Sequence, residues 1–342
     1  MSEKNILTVS ASPHTKSPGT VTGIMLDVII SLIPAAFAGV AVFGARAALV
    51  IAVCIVSCVL FEFLSRKIMK RSSSIGDLSA VVTGLLLAFN LPVSIPIWMC
   101  IVGSLVAIVV VKQMFGGIGH NFANPAITAR IVLLVSFASA MTGFSAPGSS
   151  GVDTITTATP LSHLSAIDLS GNVSSQMGAL LVDGDLPSFF NMLFGVRAGC
   201  IGEVCSVALI LGAVYLILRG VISIAIPGSY ILTVAAFMLI ASGFDITFTI
   251  YEILGGGLIL GAFFMATDYS TSPINTKGKI VFGIGCGILT SVIRLFGSLP
   301  EGVSYSILLM NIATPLIEKL TAPAYFGFIK EKKTKKKEEG AA

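Results

Sequence analysis

Apolar and polar positions along this chain come in blocks. Apolar runs recur near residues 21–43, 46–64, 78–91, 94–114, 122–144, 199–218, 221–241, 252–266, 279–298 and 302–321. Most approach the ~20 residues that cross a hydrocarbon layer, so the pattern predicts an all-α integral membrane protein of about ten spans. The third and eighth runs are short and interrupted by small or polar residues, Gly84 to Pro92 and Gly257 to Asp268. The one long polar stretch is 145–198. The chain therefore divides into an N-terminal segment (1–20), a first five-helix unit (21–144), a loop (145–198), a second five-helix unit (199–321) and a tail (322–342).

The two units carry similar segments. Asn121-Phe122-Ala123-Asn124-Pro125-Ala126-Ile127 matches Asn311-Ile312-Ala313-Thr314-Pro315-Leu316-Ile317. Five spans is an odd number, so two such units lie inverted in the membrane. Short or broken helices at equivalent places of inverted halves point to a midplane site or pathway; local bilayer thinning is the other explanation.

Composition agrees: 55% of residues are hydrophobic and 11% charged, against about 25% charged in soluble domains. The start, Met1 to Asn5, lacks a signal-peptide pattern, so the N-terminus is expected to be retained. With the N-terminus inside, all but four (Arg46, Arg130, Arg197, Arg294) of the 21 basic residues fall on the inner side. This places both termini in the cytoplasm and the loop on the outer face. The loop's charges are acidic there (Asp153, Asp168, Asp183, Asp185), and its length marks it as functional or disordered. The tail lysines, Lys330 to Lys337, read as a disordered topology anchor able to touch anionic lipid. The six cysteines lie mostly in apolar runs and read as small packing residues. Neither they nor the three histidines have iron–sulfur or zinc spacing, and no phosphate loop is present. No nucleic-acid partner is expected.

Candidate chemistry lies in the loop. Asp153, Thr156, Thr157, Ala158, Thr159 and Pro160 form an Asp-x-x-Thr-x-Ala-Thr-Pro run. Phosphoester attachment of a flavin needs an alcohol on accessible backbone, and Thr159 supplies the hydroxyl; an ordinary exposed loop hydroxyl is the alternative. Five further stretches extend the pattern: Ser12 to Pro18, Phe115 to Ala126, Gly199 to Glu203, Phe264 to Pro273, and Ile293-Arg294 with Pro300-Glu301-Gly302 and Asn311. On these the chain resembles the RnfD family, the D-type membrane component of the Rnf complex, which is similar to the B-type component (NqrB) of the sodium-pumping NADH:quinone reductase. The resemblance implies FMN bound covalently to Thr159 by a separate flavin transferase. The usual attachment motif has glycine before the alanine. Thr157 stands there in this chain, leaving Thr156 and Thr157 as alternative acceptors. It also implies ten helices in two inverted repeats, similar in fold to urea and ammonium channels. The implied role is electron transfer within a ferredoxin:NAD⁺ oxidoreductase that translocates Na⁺ or H⁺ across a prokaryotic cytoplasmic (inner) membrane. A second, noncovalent flavin is a further implication. The chain shows no nicotinamide fold or cluster motif, so substrate oxidation and NAD⁺ reduction fall to the other Rnf subunits.

Other residues carry two readings. Asn124-Pro125 is a helix cap followed by a first-turn proline, or a broken helix beside a flavin or ion path. Gly283, Gly285 and Gly287 read as close helix packing, and Gly116, Gly117 and Gly119 as a turn. Ionisable residues within spans are costly and functional suspects; here they are Asp27, Arg130, Glu203, Glu252 and Asp268. Glu203 and Asp268, with Asn121, Asn124 and Asn311, are the candidates for an ion pathway or second flavin site. The rival readings are a urea- or ammonium-type channel, an NqrB-type component of a quinone reductase, and a scaffold with Thr159 unmodified.

Overall fold

The computed structural model describes residues 19–72, 74–147, 157–169, 171–297 and 301–323. Every regular element among them is a helix. Helix α1 (Val21–Phe43) turns at Gly44, φ 75°, directly into α2 (Ala45–Ile68). A short α3 (Ser79–Phe89) follows, then α4 (Ile97–Leu105), which widens into a π-helical run over Val106–Gln113. Next come α5 (Pro125–Ser136) and α6 (Ala138–Met141). Three small helices lie in the region read as a loop: α7 (Pro160–Ser165), α8 (Val173–Val182) and α9 (Phe189–Phe194). The second unit holds α10 (Ser206–Leu218), α11 (Ala225–Ala241), α12 (Ile246–Leu254), α13 (Leu258–Leu260, continued as a π-helix over Gly261–Met265), α14 (Thr276–Phe296) and α15 (Val303–Thr321).

Each of the ten apolar runs carries a helix. Three of them, α1, α2 and α14, are long and apolar enough to cross a membrane alone. The pair α12 and α13, bent by 63° at the Gly255–Gly257 break, is long and apolar enough only when the two are taken together. Large apolar side chains face outward along the bundle, among them Phe37, Val56, Leu232 and Leu316. An apolar exterior around an apolar core suits hydrocarbon as solvent. In that solvent helices associate through close packing and hydrogen bonds rather than through expulsion of water. The α11–α14 contact shows this. A Cβ on Gly283 would lie 1.9 Å from Ser229 Oγ, and one on Gly287 would lie 2.6 Å from Thr233 Cβ. The glycine run in α14 is thus a packing surface.

Two expectations are revised. The 145–198 region is not irregular throughout, because Thr159, Asn172 and Ser188 each cap a helix with their side-chain oxygens. Residues 199–205 precede α10 as a turn, although their apolar character reads as the start of a span. The Asn121–Ile127 and Asn311–Ile317 segments sit differently in their helices: Pro125 opens α5, whereas Pro315 lies inside α15.

Because α14 has no slack against α11, Gly283→Val should destabilise the protein by about 1–3 kcal/mol. Thermal unfolding in detergent measures this, and an unchanged melting temperature would refute the close-contact reading.

Candidate functional site

Two polar regions lie at opposite ends of the bundle. At the first, Thr159 is the N-cap of α7; its Oγ1 accepts a hydrogen bond from the Ser162 N–H at 3.3 Å. Pro160 fits the first helical position, where a missing N–H costs nothing. Both residues are buried, and Leu161 packs against the backbone of Gly255 and Gly256 at the α12–α13 break. Thr157 is exposed, with its N–H donating to the Phe144 carbonyl at 2.9 Å. Asp153 and Thr156 lie outside the described residues. The space beside Thr159, bounded by Arg197, Gly199, Glu203, Gly256 and Glu301, is about 10 Å³. A flavin ring does not fit there in this conformation. Arg197 donates to the carbonyls of Leu254 and Glu203; burial pulls its guanidinium down to about 10, so it stays charged at neutral pH.

Behind that space lies a buried ion cluster. Arg130 of α5 donates to Asn90 Oδ1 at 3.0 Å, Ser304 Oγ at 3.1 Å, and Glu301. It lies 3.6 Å from Glu203 Oε1 and 3.7 Å from Cys200 Sγ. The turn carrying Cys200 and Glu203 is itself fixed by backbone bonds to the end of α3. Ile201 N donates to Leu91 O at 3.1 Å, and Gly202 N donates to Phe89 O at 3.0 Å. A Cβ on Gly202 would sit 2.3 Å from Phe89 Cβ, which explains the glycine.

At the other end is a cavity of about 790 Å³. Its apolar wall includes Met25, Val28, Leu86, Phe263 and Phe264; its polar wall includes Lys112, Asn121, Asn124, Asp268, Ser270 and Asn311. Asn124 caps α5, accepting from Ala126 N at 3.0 Å and Ile127 N at 3.4 Å, while its amide donates to Met265 O at 3.2 Å. The amide of Asn311, oriented to satisfy both neighbours, donates to Thr271 O at 3.3 Å and accepts from Asn124 N at 3.1 Å. Asp268 accepts from Ser270 Oγ at 3.1 Å and Thr271 Oγ1 at 3.2 Å. Asn121 contributes a buried Oδ1 with no hydrogen-bond partner among the described residues.

The structure thus gathers Asn121, Asn124, Asp268 and Asn311 around one cavity and places Glu203 elsewhere, beside Thr159. Asn124 is the helix cap that the sequence predicts, and it also lines the cavity. Glu62 and Lys112 are functional-region residues that the sequence does not single out. Lys112 Nζ lies 2.9 Å from Glu62 and donates to Ser79 Oγ at 2.6 Å, all within the bundle. Gln113 and Ser74 also donate to Glu62. The available signal is a lone carboxylate inside the second apolar run. Lys112 reads as a membrane-edge residue because basic side chains at span ends ordinarily sit there.

Compared with known proteins, residues 8–327 match the model described as the NQR2, RnfD, RnfE family. The chain belongs to that family. Among its relatives is the D component of the Na⁺-translocating ferredoxin:NAD⁺ oxidoreductase complex of Acetobacterium woodii, 47% identical over 98% of this chain and 100% of the relative. The D component of the proton-translocating ferredoxin:NAD⁺ oxidoreductase complex of Clostridium ljungdahlii is 44% identical over 95% and 97%. The D component of the ion-translocating oxidoreductase complex of Stutzerimonas stutzeri is 34% identical over 90% and 92%.

Lys112→Met would leave the Glu62 carboxylate buried without its cation, and should destabilise the protein by about 3–5 kcal/mol. Adding Glu62→Leu should recover most of that loss. Denaturation of the single and double variants tests the pair, and a single variant as stable as the wild type would refute it.

Proposed function

We propose that this chain is the membrane electron-transfer subunit of a complex that couples ferredoxin oxidation and NAD⁺ reduction to ion translocation, with FMN joined through its phosphate to Thr159. The observation that carries this reading is the near full-length match to the D components of such complexes. The ion is not assigned, because those two relatives are named for different ions. In this reading the helices form ten spans in two inverted units, both termini are cytoplasmic, and the α7–α9 region is on the outer face. The other subunits of the complex bind ferredoxin and NAD⁺, and a flavin transferase installs the FMN. A bound flavin supplies an acceptor and donor of one or two electrons.

The chain's own contribution is position. Thr159 is joined to a fixed framework through α7, while Leu161 closes the α12–α13 break beneath it. The closed conformation leaves about 10 Å³ beside Thr159. Loading therefore requires the start of α7 to present the hydroxyl outward. A second, noncovalent flavin is favoured at the opposite end. The cavity there, about 790 Å³ with one apolar and one polar wall, falls in the range typical of cofactor sites. A solute channel accords less well, because the buried Arg130 cluster stands between the two ends.

The test is the intact mass of the full chain made with an active flavin transferase, beside Thr159→Ala. The expected result is a gain of one FMN less water, with in-gel flavin fluorescence that is absent from the variant. An unmodified wild-type mass would remove the covalent carrier role, and a modified Thr159→Ala chain would move the linkage to Thr156 or Thr157.

A further inference from the structure

A line of polar groups, bridged at one point by the Met265 side chain, runs between the two ends of the molecule, and Arg130 lies at its junction. From the Thr159 side it begins with Glu203 and Glu301, which face both the small space beside Thr159 and the Arg130 guanidinium. Arg130 holds Asn90 Oδ1, and the Asn90 amide meets Met265 Sδ at 3.6 Å. The Met265 carbonyl accepts from Asn124, which lines the large cavity. A cation crossing this bundle would meet the lowest desolvation cost along such a line.

Three observations concern the junction. First, Cys200, Glu203 and Glu301 present ligand atoms within 4.8 Å of one another, the makings of a cation seat. Second, the guanidinium of Arg130, 4% exposed, occupies that seat and contacts both carboxylates. Third, the cluster is not fully satisfied: Glu203 Oε1 and Arg130 Nε are buried with no hydrogen-bond partner among the described residues. Buried ion pairs with unpaired atoms stabilise poorly compared with apolar packing of the same volume. Stability alone is therefore a weak reason for charges here.

We infer that Arg130 is a tethered cation occupying the seat formed by Cys200, Glu203 and Glu301, and that it thereby blocks passage of free cations along the polar line between the Thr159 end and the large cavity. Fixed arginines exclude cations from other pores by the same electrostatics. The Glu203 and Glu301 carboxylates require a positive partner, and one covalently held to α5 cannot move through. This inference requires only that the chain cross a membrane, and it does not depend on the flavin.

The test is passive Na⁺ and H⁺ entry into proteoliposomes holding the full-length chain, followed with entrapped indicator dyes. Wild-type protein should be as tight as empty vesicles; entry at channel rates would overturn the inference. Arg130→Gln keeps hydrogen-bonding capacity, removes the charge and leaves two carboxylates in a narrow space. Cation entry should rise by about tenfold or more, and Arg130→Lys should remain near the wild type. A tight Arg130→Gln protein with unchanged helical circular dichroism and monodisperse elution would also overturn it.

If Arg130→Gln does not fold, Arg130→His decides, since its charge can be switched in the folded protein. The titratable groups around that position are Cys200, Glu203, Glu301 and Tyr305. Na⁺ entry should increase as the imidazole loses its proton, between about pH 5.5 and about pH 8. Entry that does not change with pH would count against the inference. A merely structural role for Arg130 would not produce that profile.

Discussion

The architecture depends on one constraint: backbone groups at helix ends cannot be left unpaired in hydrocarbon. Two helices stop inside this bundle, α3 at Phe89 and α12 at Leu254. Their terminal carbonyls are paired from elsewhere in the sequence. The 201–202 turn supplies N–H groups to Phe89 and Leu91, Arg197 donates to Leu254, and Arg294 donates to Glu252 and Gly255. Each pairing ties a segment near the α7–α9 region, or the end of α14, to a helix break. The small helices are therefore attached to the centre of the molecule, and the site around Thr159 is assembled on the breaks.

The same constraint explains the placement of charge. Arg294 pairs with Glu252 at 2.9 Å, Lys112 with Glu62 at 2.9 Å, and Arg130 with two carboxylates. A buried charge without a partner costs several kcal/mol, whereas a hydrogen-bonded pair approaches break-even. These opposite charges thus enter the bundle together, while Arg197 is held instead by the carbonyls of Leu254 and Glu203. The pair Arg219–Asp27, at 3.2 Å with its arginine in solvent, is of a weaker, screened kind.

The helices were legible in the sequence because hydrophobic blocks report span position directly. Their ends were less so. Residues 199–205 are apolar because they are buried, and burial in a turn leaves the same compositional mark as burial in a helix. The small helices α7, α8 and α9 carried capping signals at Thr159, Asn172 and Ser188. Those signals were obscured by a polar composition that otherwise reads as loop. Asp268 and the three asparagines were identified from motifs, and the cavity unites them. The Glu62–Lys112 pair could not be read from sequence, because each residue is ordinary in its own segment and only the packing of α2 against the end of α4 makes them partners.

The similar Asn121–Ile127 and Asn311–Ile317 segments meet at one wall of the large cavity. In an inverted repeat, equivalent residues near the midplane lie at the same depth on helices that run in opposite directions. Here Asn124 begins α5, Asn311 lies well inside α15, and the Asn311 amide bonds directly to the Asn124 backbone. Direct contact places them at the same depth, where α5 runs from the cavity and α15 runs toward it. Asn124 must both cap an exposed helix start and reach Met265, and Asn311 must satisfy the backbone N–H of Asn124 that no helix bond can reach. An amide is suited to each task because it donates and accepts at once. Two stretches of similar sequence thus meet complementary hydrogen-bonding demands at one cavity wall.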